Sequence, residues 1–234
     1  MKHDTFDKYP AHALDLSQRA LLTTWDCLAA YRDDLVLIGG MAIRHLTRPP
    51  IHGMPGPVTL DVDFGINIGA SSGLYGSIRD ALSSHGFQWA KNRFVRSFEE
   101  MDLFIDLLTD DGIADTGTAL VDDGLSVGLV PGIQRALEKN RAVSISGTTL
   151  LGAAQTEQIR VSEVGPLLVL KLNAFGGPMG RKASKDAHDI LYLAMNYLDG
   201  SERAIQAFHE ERDAQNRGMP HALHALKTCF TGPG

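Results

Sequence analysis

Leu35-Val36-Leu37-Ile38-Gly39-Gly40-Met41-Ala42, followed after a short interval by Thr59-Leu60-Asp61-Val62-Asp63-Phe64, is the stretch whose reading decides the fold. Leu35–Ile38 is apolar on both of its faces, the pattern of a strand covered on both sides. It stops at two glycines, and Met41 to Leu46 then has the spacing of a short helix. Residues 48–57, RPPIHGMPGP, hold too much Pro and Gly for a helix or a central strand and are read as loop. Thr59 to Ile66 alternates and is read as a second strand.

The same pattern reading extends outward. Leu14, Leu16, Ala20, Leu21, Trp25, Leu28 and Ala29 recur at helical spacing and predict a helix over 14–31. A helix is expected over 71–84, closed by Gly86. Strands are expected over 94–98 and 103–108, joined as a hairpin at Glu99-Glu100. Residues 110–128, rich in Asp, Gly and Thr, carry no clear period. A short helix at 133–139 and a strand at 142–145 follow. Beyond about residue 160 the texture is helical, with helices expected over 166–175, 184–198, 201–212 and 221–230. The fold class is therefore α/β (α+β), with a mixed sheet and flanking helices in residues 1–130. A mainly helical region, 131–234, is expected to complete a cleft.

Composition bounds the function. The chain has 234 residues, 44% hydrophobic and 21% charged, enough apolar content for a sizeable core. With 22 Lys+Arg against 28 Asp+Glu the formal charge is −6, which argues against a general polyanion binder but not against a local basic groove. Cys27 and Cys229 make neither a metal-type pair nor a disulfide framework, the usage of a reducing compartment. Met1–Ala13 is polar with no apolar targeting core, and the apolar stretch near Leu167 is short and broken by Lys171. The expectation is a soluble, cytoplasmic protein with no membrane partner.

Three aspartates stand out. On a strand, Asp61 and Asp63 share one face while Leu60, Val62 and Phe64 share the other. Two carboxylates so placed can flank a hard divalent cation, Mg²⁺ or Mn²⁺. Aspartate is common in this chain, so an Asp-x-Asp triplet alone equally describes a strand with one solvated face. Asp106 is more informative. It lies within Leu103-Phe104-Ile105-Asp106-Leu107-Leu108, where an ionised carboxylate is costly unless it is paired or binds a metal. Asp102, on the same strand face, is its rival. Gly39-Gly40 at a strand-to-helix turn offers free N–H groups and close approach to a phosphate, or is a tight turn without a ligand. Neither GxxxxGK[ST] nor GxGxxG occurs.

Taken in order, Gly39-Gly40-Met41-Ala42 with His45, Thr59-Leu60-Asp61-Val62-Asp63-Phe64, and the strand bearing Asp106 resemble the nucleotidyltransferase superfamily of the polymerase-β type. The chain is more closely similar to the abortive-infection (AbiEii/AbiGii-type) nucleotidyltransferase toxins. That closer likeness rests on Gly39-Gly40-Met41-Ala42 with His45 and on Thr59-Leu60-Asp61-Val62-Asp63-Phe64, together with Leu167-Leu168-Val169-Leu170-Lys171-Leu172-Asn173-Ala174, then Arg181, then Lys185-Asp186-Ala187-His188-Asp189-Ile190. The family pattern is a lysine helix, an arginine, then Lys-Asp-x-x-Asp. The resemblance implies a Mg²⁺-dependent (or Mn²⁺-dependent) enzyme on a nucleotidyltransferase-like sheet. It would move a nucleoside monophosphate from an NTP to an RNA 3′ end or a protein hydroxyl. It also implies a toxin or phage-defence role with a cognate antitoxin. Asp61, Asp63 and Asp106 would hold the metal, Gly39 and Gly40 would cradle phosphate, and Lys171, Arg181, Lys185 and Asp186 would bind the nucleotide. Family members carry an arginine shortly before the Asp-x-Asp strand, where this chain has Pro57 and Val58.

The back-half motif also has a helix logic. Ser184 suits the N-cap of a helix beginning at Lys185, Asp186 heads a stripe with Ile190, Leu193 and Tyr197, and Asp189 lies one turn from Lys185. Local helix-start electrostatics would explain the same residues. His45, His52, His85, His188 and His209 show no metal spacing, and Lys91, Arg93 and Arg96 form a basic patch that reads as a solvated strand or a guide for a nucleic-acid end. Two rival functions use the same residues: a nucleotide-binding member of the fold without turnover, and a metal-dependent phosphohydrolase.

Overall fold

The apolar run Leu35–Ile38 lies in the interior of a mixed sheet. The computed structural model describes residues 12–49, 55–67, 76–121, 125–177 and 180–230. The start of the helix expected at 71–84, and the middle of the Pro/Gly loop with His52, lie outside these residues. β1 (Leu35–Ile38) pairs antiparallel with β2 (Asp61–Ile66) and parallel with β9 (Ala154–Ser162). β2 in turn lies parallel to β5 (Met101–Thr109). β3 (Gln88–Ala90) and β4 (Arg93–Phe98) extend one edge beyond β5, and β8 (Asn140–Thr148) extends the other beyond β9. The order is β3-β4-β5-β2-β1-β9-β8. This is the mixed α/β architecture that the pattern of elements predicts.

Two elements escape the pattern reading. Residues 110–128, without a period in the sequence, contain β6 (Thr118–Val121) and β7 (Leu125–Leu129), a hairpin whose second strand joins the end of β5 through Leu108–Gly128 and Thr109–Leu129. β9 reads AQTEQIRVS, and only Ile159 and Val161 of it are apolar and fully buried. It is an edge-type ribbon through its first half and a core strand only at its end, so neither template of periodicity fits the whole. β8 and β9 lie beyond residue 130 yet belong to the sheet, and the wholly helical part begins at Val164.

Helices cover both faces. α1 (Ala13–Cys27) lays Trp25 against Phe64 of β2, ring centroids 6.0 Å apart, and so covers the Val62/Phe64 face. It ends before the expected Tyr31, where a 3-10 turn over Ala29–Asp34 leads into β1. On the opposite face lie α2 (Gly39–Leu46) and α4 (Ile133–Glu138), whose Ile133 packs over Gly65. α3 (Gly76–Ser83) flanks β3. The C-terminal helices are α5 (Val164–Gly176), α6 (Ser184–Asn196), α7 (Ser201–Asp213) and α8 (Met219–Cys229). α5 is buried on every side from Val164 to Asn173 because α6, α7 and α8 all pack around it. Its lack of a polar face is explained by that packing; among the described residues no helix is long and apolar enough to cross a membrane.

The hairpins on either side of β4 are tight. Lys91-Asn92 and Glu99-Glu100 all have positive φ, between 49° and 62°, as the two central residues of a two-residue hairpin turn require. The Glu99-Glu100 turn sets Phe98 opposite Met101 and Phe94 opposite Ile105. One step further along this register, Arg93 stands across from Asp106.

Candidate functional site

β2 and β5 run parallel with Asp63 directly beside Asp106. Asp61 is two residues earlier on β2 and opens on the same side of the sheet. On the other side Val62 and Phe64 are fully buried under α1. One face of these two strands is therefore core and the other carries carboxylates. Asp102 is exposed, accepts a hydrogen bond from Ser97 Oγ at 2.7 Å, and does not line the cavity described below.

The residue that sequence patterns miss is Arg93. Its guanidinium lies 4.2 Å from the Phe104 ring centroid, and its Nη2 donates to Asp61 Oδ1 at 2.9 Å and to Asp106 Oδ2 at 2.7 Å. It is neither a solvated strand residue nor part of a surface patch; its side chain is 21% exposed. Arg96 is likewise committed, donating to the His85 carbonyl at 2.6 Å and resting over Phe87 and Phe98. The signal for Arg93 was the hairpin register, which puts it opposite Asp106.

The glycines at the start of α2 make close approaches. Gly39 has φ +71°, and a Cβ there would overlap the Asp63 carboxylate. Position 39 thus needs glycine both for its backbone and to seat Asp63. Gly40 is buried against Thr59, whose Oγ1 accepts from the Asp61 N–H at 3.0 Å. Gly39 lines the cavity and Gly40 does not.

Across from the carboxylates stands a cationic wall. Lys171 of α5 donates to Asp189 Oδ2 at 2.8 Å and lies 3.9 Å from Asp186. Arg181 reaches both oxygens of Asp186, at 3.0 and 2.7 Å, and Lys185 reaches Asp189 at 3.2 Å. Helix α6 begins at Ser184 rather than Lys185, so Ala183 and not Ser184 is its N-cap. Asp186 and Asp189 are both buried, so the motif is more than surface helix-start electrostatics. Burial alone would lower the Lys171 pKa, but the charges of Asp189 and Asp186 outweigh it and hold the ammonium above its ordinary value. Burial, aided by the neighbouring Lys171 charge, lowers that of Lys185. Lys171, Arg181 and Lys185 face two carboxylates here, leaving a surplus of positive charge.

Both walls meet at a cavity of about 420 Å³. Gly39, Asp63, Asp106, Lys171 and Arg181 all line it, whereas Asp61, Gly40, Lys185 and Asp186 lie behind these or to one side. Leu108, Leu129, Leu167 and Leu170 give it an apolar portion as well. The mixture of apolar wall with a few convergent charges is that of a small-molecule site. His45 is half-buried, and desolvation with the neighbouring Arg44 charge lowers its pKa to about 4, so it is neutral at neutral pH. Burial raises the Cys27 thiol to about 11, which makes it a poor nucleophile.

Asp61, Asp63 and Asp106 supply only carboxylate oxygens, the donor type that a hard divalent cation takes. Among the described residues no three acidic, His or Cys side chains are gathered tightly enough to grip one ion. Two of the three acids are instead turned onto the Arg93 guanidinium. Their convergence on that cation shows that the face accepts positive charge, and the donor chemistry would suit a hard divalent ion.

No family model matches the chain, and no curated protein does. Among solved structures it is similar to the solution structure of the antibiotic-resistance factor ANT(2″)-Ia, with 13% identity and a TM-score of 0.40. That alignment covers 87% of this chain and 97% of the other.

Proposed function

We propose that the chain is a nucleotidyltransferase that moves a nucleoside monophosphate from an NTP to an RNA 3′ end or a protein hydroxyl. The observation that carries this reading is the cavity itself: Asp63 and Asp106 side by side on parallel strands on one wall, Lys171 and Arg181 on the other. Asp61, Asp63 and Asp106 would hold Mg²⁺ or Mn²⁺, which when bound neutralises developing charge on the phosphates. Lys171 and Arg181 offer positive charge to the triphosphate, and the apolar wall excludes water around it. The acceptor oxygen bonds to the α-phosphorus, the bond from that phosphorus to the β-phosphate oxygen breaks, pyrophosphate leaves, and the proton of the acceptor hydroxyl passes to solvent water. A toxin role held in check by an antitoxin follows from the motif resemblance and belongs to the same proposal.

Incubation with Mg²⁺, each α-labelled NTP, cellular RNA and lysate protein tests it. Label is expected on RNA or on protein. Free phosphate released from a nucleotide, with no labelled acceptor, would instead select the phosphohydrolase reading. Nucleotide binding without any product would select the inactive one.

Arg93 bears on the metal. Because its Nη2 already occupies the space between Asp61 and Asp106, it competes with a divalent ion for both. Arg93→Ala is expected to tighten Mn²⁺ binding by about tenfold, read by electron paramagnetic resonance titration without any substrate. Unchanged or weaker binding would mean that the guanidinium and the ion do not share a place.

A further inference from the structure

Strands β1, β2, β5 and β7 and helix α5 supply much of the cavity wall. Asp115, Thr116 and Gly117 differ. They belong to the exposed loop between β5 and β6, and Asp115 meets His221 of α8, which lines the cavity as well. Among the described residues, every hydrogen bond and ion pair that ties residues 111–116 to another element ends on the Asp115 carboxylate or leaves it. Arg217 Nη2 donates to its Oδ1 at 3.2 Å, and His221 Nε2 stands 3.2 Å from its Oδ2. The Asp115 side chain is 51% exposed, so both contacts are solvated and hold weakly.

The other half of this contact is fixed. Arg217 also pairs with Asp110, whose side chain is 2% exposed and accepts from the Gly132 N–H at 2.8 Å. Arg217 therefore keeps a partner and its place when Asp115 lets go, and the freed carboxylate passes into water. Asp111 Oδ1 accepts from the N–H groups of Ile113 and Ala114 at 2.9 and 2.8 Å; these bonds lie inside the loop and travel with it. Gly112 and Gly117 have φ of +76° and +116°, and a Cβ at either would meet nothing within 4 Å beyond its chain neighbours. The loop has open space at both.

We propose that residues 111–117 are a flap in the cavity wall and that Asp115 is its latch. Closed, the carboxylate bridges to Arg217 and His221 and completes the wall. Released, it opens the seam between the loop and α8 to the ligand. A cavity that encloses a ligand and also exchanges it needs one wall that comes away without disturbing the core. Releasing this loop breaks two exposed contacts and no buried one. The flap rests on the cavity being the nucleotide site of the reading above, and the nature of the nucleotide enters only through the probe.

The test reads the loop and the ligand separately. First, Ile113→Cys in a Cys27→Ala, Cys229→Ala background carries a nitroxide, and its spectrum is recorded without ligand. Asp115→Asn, which keeps the shape and drops the charge, is expected to raise the ratio of mobile to restrained label about fivefold. Salt at about 1 M should do the same where Asp115 is intact and add nothing in the variant. Second, the full chain with Mg²⁺ is mixed in stopped flow with a fluorescent α,β-methylene nucleoside triphosphate. Because opening precedes binding, the observed rate is expected to level off as nucleotide rises, and to level off about fivefold higher in Asp115→Asn. Circular dichroism confirms that each variant is folded. Label mobility that neither Asp115→Asn nor salt changes overturns the latch. A rate that climbs linearly with nucleotide in both chains overturns the gating role. If no nucleotide binds, the nucleotide reading falls and the gating role falls with it, while label mobility still decides whether Asp115 holds the loop.

Discussion

Asp63→Ala is expected to lower nucleotidyl transfer about 10³-fold, or ~4 kcal/mol of transition-state stabilisation, while the protein stays folded. Asp63 sits beside Asp106 on adjacent parallel strands, and its carboxylate fills the space that Gly39 leaves open. It is partly exposed at the cavity, so its loss strands no buried charge. Removing one of three like charges from the strand face also relieves repulsion among those that remain. The labelled-transfer assay and a thermal melt read the two halves of the expectation separately. Activity that survives in Asp63→Ala, or a melting temperature that collapses with it, would remove Asp63 from the chemistry and leave it a structural residue.

Lys171→Met is expected to cost about 3 kcal/mol of stability, because it breaks a buried ion pair and leaves a charge behind. The Asp189 side chain is 0% exposed and holds Lys171 at 2.8 Å and Lys185 at 3.2 Å. Both lysines meet Oδ2 while Oδ1 is buried with no partner, so losing Lys171 leaves Lys185 alone against a buried carboxylate. At this chain length the loss is a fall of about 10 °C in melting temperature. Lys171→Met with Asp189→Leu removes both charges and should recover most of the fall, whereas no recovery would place the cost in packing. The pH dependence follows the same contact. Burial alone would raise the Asp189 pKa, but Lys171 and Lys185 outweigh it and hold the carboxyl below its ordinary 3.8. A depressed carboxyl stabilises the fold fully above the unfolded value. That contribution is lost as pH falls from about 4 toward the lower folded value. Acid melts of Lys171→Met should therefore be flatter in this range than those of the native chain.

The likeness that sequence motifs bear to nucleotidyltransferases came from strand chemistry that can be read locally. An apolar run ending in Gly-Gly, an alternating Asp-x-Asp strand and an aspartate in an apolar strand each report the environment of a few neighbours. Asp106 is the clearest case: its flanks show that it is embedded in a strand, and the structure adds that Asp63 and Arg93 are its company. Even Arg93 was within reach. A two-residue turn at Glu99-Glu100 fixes which residues of β4 and β5 face one another, and counting back from it brings Arg93 opposite Asp106. The Lys91, Arg93 and Arg96 spacing suggested a shared exposed patch instead, because charge patterns say nothing of what lies across the ladder.

Residues 110–128 and β9 show where local pattern stops. β7 alternates, with Leu125, Val127 and Leu129 buried, but over five residues only and after an Asp/Gly/Thr-rich run, while the first half of β9 has no apolar face at all. The sequence by itself determined the mixed α/β class, the helical C-terminal region, and the aspartates worth examining, since each depends on periodicity and on the cost of placing charge among apolar neighbours. Only the tertiary structure decided which of these residues share a cavity, and that Lys171 and Arg181 are already tied to Asp189 and Asp186. Those facts depend on pairings between residues far apart along the chain, and a hydrogen bond has no sequence signature until the fold brings donor and acceptor within about 3 Å.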